Sequence, residues 1–251
     1  MNSNTKVSII TPTFNSENYI VKMLESIISQ TYKNWELLIT DDCSTDLTCK
    51  IIQNYKTKDS RIKLFKLSKN SGAGFARNNS IKSSTGRFIA FCDSDDFWFH
   101  NKLEKQIDFM LKENIQLTYS GYQEIDQNGN LGKVRKAIPF ISYKHILRNN
   151  YIHCFTSIYD SSKLGKMYMP TIRKRQDWLL WINILKKIKF CRGISEPLGY
   201  YTIRKNSLSS NKLKLLKHNW NIYRKELNFN FIKSTYFIIQ FLLFYLLKKN
   251  Q

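Results

Sequence analysis

Apolar residues come in short blocks through the first hundred positions, and each block runs into a polar cluster. Val7-Ser8-Ile9-Ile10 meets Thr11-Pro12-Thr13, residues 35–40 meet Asp41-Asp42, and residues 88–92 meet Asp93-Ser94-Asp95-Asp96. Blocks of that length, rich in branched and aromatic residues, read as buried strands. Pro12 cannot donate to a strand ladder and is read as the exit of the first strand. Residues 62–65 supply another. Between the strands the spacing turns helical. Ile20, Met23, Leu24, Ile27 and Ile28 predict a helix over about 16–30, Ser44-Thr45-Asp46 starts one running to about 55, and Gly72-Ala73-Gly74 opens one through 81. Strand and helix in strict alternation imply an α/β fold with a mostly parallel, Rossmann-like central sheet, right-handed crossovers and helices on both faces. Ligands of such sheets bind beyond the carboxyl ends of the strands. Every polar cluster falls there, the stretch from Asn70 to Asn78 included.

Past Asp96 the alternation loosens. A helix is predicted over 102–113, and a hairpin has 117–119 and 132–134 flanking Asp126-Gln127-Asn128-Gly129-Asn130. A helix over 141–148, a strand over 155–159, an amphipathic helix from Arg175 to about 187 and a last strand over 198–203 follow. From residue 211 basic and apolar residues interleave, and residues 236–247 form an unbroken apolar run ahead of Lys248-Lys249. A spanning helix needs about 20 apolar residues. A shorter run flanked by lysines fits an interfacial helix on anionic lipid, or else a helix docked on the core.

Charge widens the choice of partner. A net charge of +21 over 251 residues and a pI near 9.7 suit nucleic acid, an anionic membrane or phosphorylated small molecules. Nucleic-acid binding has charge alone in its favour, without a helix-turn-helix, zinc or RNA-binding signature. The five cysteines fall in no metal-binding spacing, and Cys92 reads as a small buried apolar residue, which suits a reducing compartment. The amino terminus carries no apolar segment behind a basic one, so the expected location is cytoplasmic, peripheral on the inner face of the membrane.

The acidic cluster carries the chemistry. Carboxylates crowded at a strand end repel one another unless a cation or hydrogen-bond donors hold them. A hard cation such as Mg2+ or Mn2+ takes one or two carboxylates and leaves positions for phosphate oxygens. The plainer alternative is an acidic turn capping the next helix. Gly72-Ala73-Gly74 resembles a phosphate-cradling loop but lacks the third glycine and follows the wrong strand for a dinucleotide fold. Arg77, one turn inside its helix, reads as a surface arginine or as the partner of a carboxylate or phosphate. Asp41 and Asp42 could accept from a nucleobase or ribose, or cap the next helix together with Ser44. Asp177 could be a general base beside Trp178, or only a helix-start charge.

Taken in order, these segments resemble the family 2 glycosyltransferases of GT-A fold, the bacterial polysaccharide-biosynthesis type. They are Val7 to Asn15, Trp35 to Asp46, Gly74-Phe75-Ala76-Arg77-Asn78, Asp93-Ser94-Asp95-Asp96 (a DxD motif), Gln176-Asp177-Trp178, and Glu196 to Tyr201 with Asn206 to Ser209. The resemblance covers about residues 5–210. It implies a GT-A domain over 1–210, with a nucleotide-binding half (1–96) and an acceptor half (97–210), followed by basic and apolar helices over 211–251. It implies inverting transfer from a nucleotide-sugar, expected to be a UDP-sugar, to a glycan or lipid-linked acceptor. Thr11, Pro12, Phe14 and Asn15 would line the base pocket, and Asp42 would read the base edge. Asp95 and Asp96 would serve ribose and metal, with Asp93 in support. Asp177 would be the catalytic base, flanked by Gln176 and Trp178, with Arg77 and Lys205 on the donor side. A non-catalytic sugar-nucleotide-binding relative is set against by intact Asp95, Asp96 and Asp177. Departures from the family pattern are Thr40 and Cys43 around Asp41-Asp42, Gln176 in place of glutamate, and Lys205 in place of a common histidine.

Overall fold

The alternation of the first hundred residues is realised as β1 (Val7–Thr13), α1 (Ile20–Ile28), β2 (Trp35–Asp41), α2 (Thr48–Lys58), β3 (Ile62–Lys66), α3 (Ala73–Ser83) and β4 (Phe88–Phe91), in a computed structural model that describes residues 5–203 and 212–249. Then come β5 (Phe97–Trp98), α4 (Lys102–Lys112), β6 (Leu117–Asp126), β7 (Leu131–Arg135), β8 (Phe140–Ser142) and α5 (Tyr143–Arg148). The chain continues with β9 (Ile158–Asp160), α6 (Ser161–Leu164), α7 (Gln176–Ile188) and β10 (Phe190–Ile203). α8 (Lys212–Asn221), a π-helical turn (Ile222–Glu226) and α9 (Phe231–Lys249) complete the described chain.

The strands form one sheet in the order β3-β2-β1-β4-β9-β6-β10-β5, with β7 added to β6 and β8 to β10. β1 pairs in parallel with both β2 and β4. The chain therefore winds outward to β3 and then returns to the other side of β1. That reversal opens a crevice at the carboxyl ends of β1 and β4, the place where open α/β sheets bind ligands. Beyond β4 the sheet is mixed: β9 runs antiparallel to both β4 and β6, and β5 and β8 antiparallel to β10.

Alternation along each central strand feeds two cores. Val7, Ile9, Leu37, Ile39, Phe88 and Ala90 pack on one face with α1, Ile52 of α2 and the Leu103, Ile107 and Met110 row of α4. Ile10, Leu38, Ile89 and Phe91 pack on the other with Ile81 of α3 and with α5 and α7. Strands buried on both faces read as continuous apolar runs, which is why these three were legible.

Three boundaries differ from the sequence expectation. β1 passes through Pro12 and ends at Thr13. Ile10 O accepts from Cys92 N at 3.1 Å, so Ile10, and with it Pro12, faces β4; β4 ends at Phe91, and the missing N–H of Pro12 leaves no ladder bond unmade. The strand expected over 155–159 is a 3-10 turn (Cys154–Thr156) followed by β9. The helix expected over 141–148 yields its first residues to β8, and α5 begins behind Ser142, whose Oγ accepts from His145 N while His145 Nδ1 accepts from Ser142 N in a reciprocal cap.

The carboxy-terminal segment docks its inner side on the core. Ile222, Tyr223 and Phe237 are buried in the α5/α7 cluster, and Tyr223 donates to Leu147 O at 2.6 Å. No helix among the described residues is long and apolar enough to cross a membrane.

At the amino end of the sheet, Glu36 is a buried carboxylate that ties β1, β2, β3 and the loop after α3 together. It accepts from Ser8 Oγ (2.6 Å), Thr85 N (2.7 Å), Thr85 Oγ1 (2.8 Å) and Lys63 Nζ (2.9 Å). Burial opposes its charge, but these donors outweigh it and hold its pKa down at about 2, against 4.5 ordinarily. A depressed carboxylate contributes stability above its unfolded pKa, and that contribution is lost as pH falls from about 4.5 through about 2. Thermal melts of Glu36→Gln should be flatter than the parent's across that window. Glu36→Ala, which strands the donors at Ser8 and Thr85, should cost about 2 kcal/mol at neutral pH. A parent melting temperature that does not fall on acidification through this window would refute the assignment.

Candidate active site

Four loops meet at the crevice between β1 and β4. After β1, Asn15 takes a left-handed conformation (φ 46°) that turns the chain back over the sheet end. Its N–H donates to Ser44 Oγ at 2.9 Å and its Oδ1 accepts from Thr45 N at 2.9 Å, so the β1 loop is tied to the β2 loop. Ser16 Oγ and Ser94 Oγ share a 2.8 Å hydrogen bond across the crevice, tying the β1 loop to the acidic loop. Thr11 and Thr13 are buried, and neither hydroxyl has a hydrogen-bond partner among the described residues. Pro12 is buried in β1, while Phe14 leaves its ring exposed at the rim.

Asp41 and Asp42 divide their tasks. Asp41 Oδ2 accepts from Ser44 N at 2.9 Å and closes its own turn. Asp42 lies where the base-reading carboxylate was expected, and its oxygens accept from Ser71 N (2.6 Å) and Gly72 N (2.7 Å). It therefore holds the β3–α3 loop against β2. Asn70 reaches the same spot, donating to Asp42 O at 3.2 Å.

The glycines of the Gly-x-Gly motif serve geometry. Gly72 precedes α3 at φ +91°, a conformation that side chains rarely adopt. A Cβ on Gly74 would lie 2.5 Å from the Gln176 amide. Gly74 is thus a notch that lets the start of α7 lie against the start of α3, with the Gln176 Nε2 donating to Ile172 O at 2.6 Å.

That approach brings two charged centres together. Arg77 is buried, and its Nη2 donates to Asp93 Oδ1 at 2.5 Å. Burial opposes the charge, but Asp93, by charge and hydrogen bond, and Asp177 outweigh it and hold the Arg77 pKa above its ordinary value. On the far side Asp177, in the first turn of α7, accepts from Asn150 Nδ2 at 2.7 Å. Arg77 is therefore the buried cation that holds Asp93 of the acidic loop. The surface-arginine alternative does not hold.

The acidic loop is pinned from β10. Asp96 Oδ1 accepts from Thr202 N at 3.0 Å, and Asp95 O accepts from the Thr202 hydroxyl. Asp96 is buried by this contact, whereas Asp95 is half-buried. Beside Thr202, Tyr201 joins Tyr122, His153 and Phe155 in an aromatic group; Tyr122 Oη and His153 Nε2 are 3.0 Å apart. Cys92, beneath the loop, is buried as a small apolar residue, and burial, with Asp96 and Asp93 nearby, keeps its thiol protonated.

Trp178 departs from its expected place beside the substrate. It is 0% exposed, donates from Nε1 to Ile146 O at 2.6 Å, and meets Tyr223 edge-on at 5.8 Å. Its work is to anchor the helix start that carries Asp177. Lys205 and the Asn206 to Ser209 segment lie outside the described residues. Asn150 was missed by sequence reading. Its one signal, an Asn-Asn pair between two predicted elements, is also that of an ordinary loop.

The glycosyl transferase family 2 model matches residues 8–170. TuaG of Bacillus subtilis (strain 168), a glycosyltransferase assigned to teichuronic acid biosynthesis, is 40% identical, covering 94% of each chain. Escherichia coli WfgD, named UDP-Glc:alpha-D-GlcNAc-diphosphoundecaprenol beta-1,3-glucosyltransferase, is 42% identical over 86% of this chain and 84% of its own. Among solved structures, Staphylococcus aureus TarS 1-349 in complex with UDP-GlcNAc superposes with a TM-score of 0.72 at 24% identity, over 94% of this chain and 71% of that one.

Proposed function

The chain belongs to glycosyl transferase family 2 and has the GT-A fold, and from that premise we propose that it transfers a sugar from a UDP-sugar to a polyprenyl-diphosphate-linked glycan in cell-surface polysaccharide synthesis. The proposal extends the family membership by what its relatives are named for, a teichuronic acid pathway in one and a diphosphoundecaprenol acceptor in another. One observation supports it: the Gly74–Gln176 approach brings the start of α7, which carries Asp177, against α3, whose Arg77 holds Asp93 of the acidic loop.

The chemistry is a single inverting displacement. Asp177, with its carboxylate oriented by Asn150, takes the proton of the acceptor hydroxyl as that oxygen attacks the anomeric carbon; the bond to the donor diphosphate breaks on the opposite face of the sugar. Thr11, Pro12, Phe14 and Asn15 line the nucleoside side, and Asp42 shapes that pocket by holding Asn70, Ser71 and Gly72. Asp93, fixed by Arg77, supports the acidic loop on the donor side, where Asp95 and Asp96 serve ribose and metal. Tyr122, His153 and Tyr201 are the side chains we assign to the sugar pocket.

Among the described residues no group of three or more His, Cys, Asp or Glu is arranged to cage a metal. A Mg2+ or Mn2+ that rests on one or two carboxylates and takes its other ligands from substrate phosphates and water requires no such cage. Asp95, half-buried, and Asp96 are the carboxylates that would hold it. A divalent cation there would neutralise the departing diphosphate. The cytoplasmic face of the membrane is the proposed place of work.

The test is a panel of UDP-sugars incubated with the full chain, with and without Mn2+ or Mg2+, reading UDP release. At least one sugar should give metal-dependent release, and Asp95→Asn should lower it by about 100-fold or more. Release from no sugar with either metal, or unaltered release by Asp95→Asn, would overturn the reading.

A further inference from the structure

α9 has two unlike apolar faces. On the inner face Ser234 and Phe237 are buried. The Phe241 ring lies 5.8 Å from the Arg175 guanidinium, and the Phe244 ring meets Tyr151 edge-on at 5.4 Å. Both contacts fall on chain neighbours of the predicted base pair: Arg175 is two residues before Asp177, and Tyr151 follows Asn150, whose amide holds the Asp177 carboxylate. The inner face of α9 is thus a brace for the acceptor side of the cleft.

The outer face carries Phe231, Ile232, Tyr236, Ile239, Leu242 and Leu243, each 37–80% exposed. At 100° per residue these six fall within an arc of about 140°. Single exposed apolar residues are ordinary, but a contiguous stripe along a helix marks an interaction surface. Its surroundings are basic. Residues 212–251 hold eight Lys and Arg against the lone acidic residue Glu226, a net of seven of the chain's 21 positive charges. A second copy of the chain would bring two such segments together, like charge against like. Nucleic acid would satisfy the charge but leave the apolar stripe in water. An anionic bilayer surface satisfies both, since apolar side chains enter the headgroup–acyl boundary while lysines stay among the headgroups.

We propose that the outer face of α9 seats this enzyme on an anionic bilayer, and that the inner face of the same helix thereby presents the Asn150–Asp177 pair to an acceptor held in that bilayer. The second half rests on the lipid-linked acceptor proposed above; the first half stands without it.

The experiment is vesicle flotation of the full chain with Ile232→Glu/Ile239→Glu, both sites exposed and outside the catalytic machinery, read beside thermal melting and UDP release. The parent should float with phosphatidylcholine vesicles containing phosphatidylglycerol and far less with phosphatidylcholine alone. The double variant should lose about tenfold or more of that binding, with its melting temperature and UDP release unchanged. On a polyprenyl-diphosphate acceptor in vesicles it should lose transfer about tenfold, while transfer to a short-chain water-soluble acceptor persists. Equal flotation of parent and variant would overturn the proposal, as would a parent dimer in light scattering that the variant dissociates. If neither protein transfers to any acceptor, the assigned reaction fails while flotation still decides the role of α9.

Discussion

Asp177→Asn should transfer sugar about 1,000-fold more slowly than the parent while binding the donor almost as well, since a positioned general base contributes about 100- to 10,000-fold. Asparagine nearly matches aspartate in shape, so the α7 start should persist. What goes is the capacity to take the acceptor proton as the new bond forms. The companion variant is Asn150→Ala. It leaves the carboxylate but removes the 2.7 Å hydrogen bond that orients it, and should lower kcat by about tenfold with little change in the KM for donor. The pair separates chemistry from architecture. Trp178, fully buried behind the helix start, offers the contrast: Trp178→Ala should cost about 4 kcal/mol of stability. Undiminished transfer by Asp177→Asn would remove the base assignment. Loss of donor binding alongside transfer would make Asp177 a structural residue instead.

These residues differ in how much of their role could be read in advance. β1, β2 and β4 were legible because each is apolar on both faces and ends in polar residues, and a strand buried between two helix layers needs that composition. The site location followed, since the carboxyl ends of those strands are where such folds bind ligands. β10 was legible only from Leu198 onward. Gly193 and the Ser195-Glu196-Pro197 stretch interrupt its apolar run, and the pairing with β6 shifts register on either side of Pro197. A mid-strand proline and polar bulge read as a strand end unless the partner strand is known. The reversed direction of β9 is set by a pairing partner far away in sequence, so no local pattern announces it.

Within the site, residue type was legible and task often was not. Asp42 and Trp178 sit in the expected motifs, yet one holds a neighbouring loop and the other anchors a helix. Asn150 needed the packing of α5 against α7 before it could meet a carboxylate 27 positions away. The α9 run reads as uniformly apolar in sequence. Only the docked helix divides it into a face that braces the cleft and a face left exposed.

Arg77→Met should destabilise the protein by about 3 kcal/mol, which for a chain of this size lowers the melting temperature by about 6–12 °C. Arg77 is buried and its partner Asp93 is only partly exposed. Removing the guanidinium leaves Asp93 without its 2.5 Å partner. The cost lies mainly in that orphaned carboxylate, so a double-mutant cycle isolates it: Arg77→Met/Asp93→Asn should recover about 1–2 kcal/mol of what Arg77→Met loses. Arg77→Lys should not rescue, because an ammonium lacks the planar fork and is more strongly hydrated. Donor turnover should be lost in all three variants, since Asp93 is then no longer held at the cleft. A melting temperature for Arg77→Met within a degree of the parent, or strict additivity in the cycle, would mean that the pair is not coupled. The acidic loop would then be held by the Ser16–Ser94 and Asp96–Thr202 contacts alone.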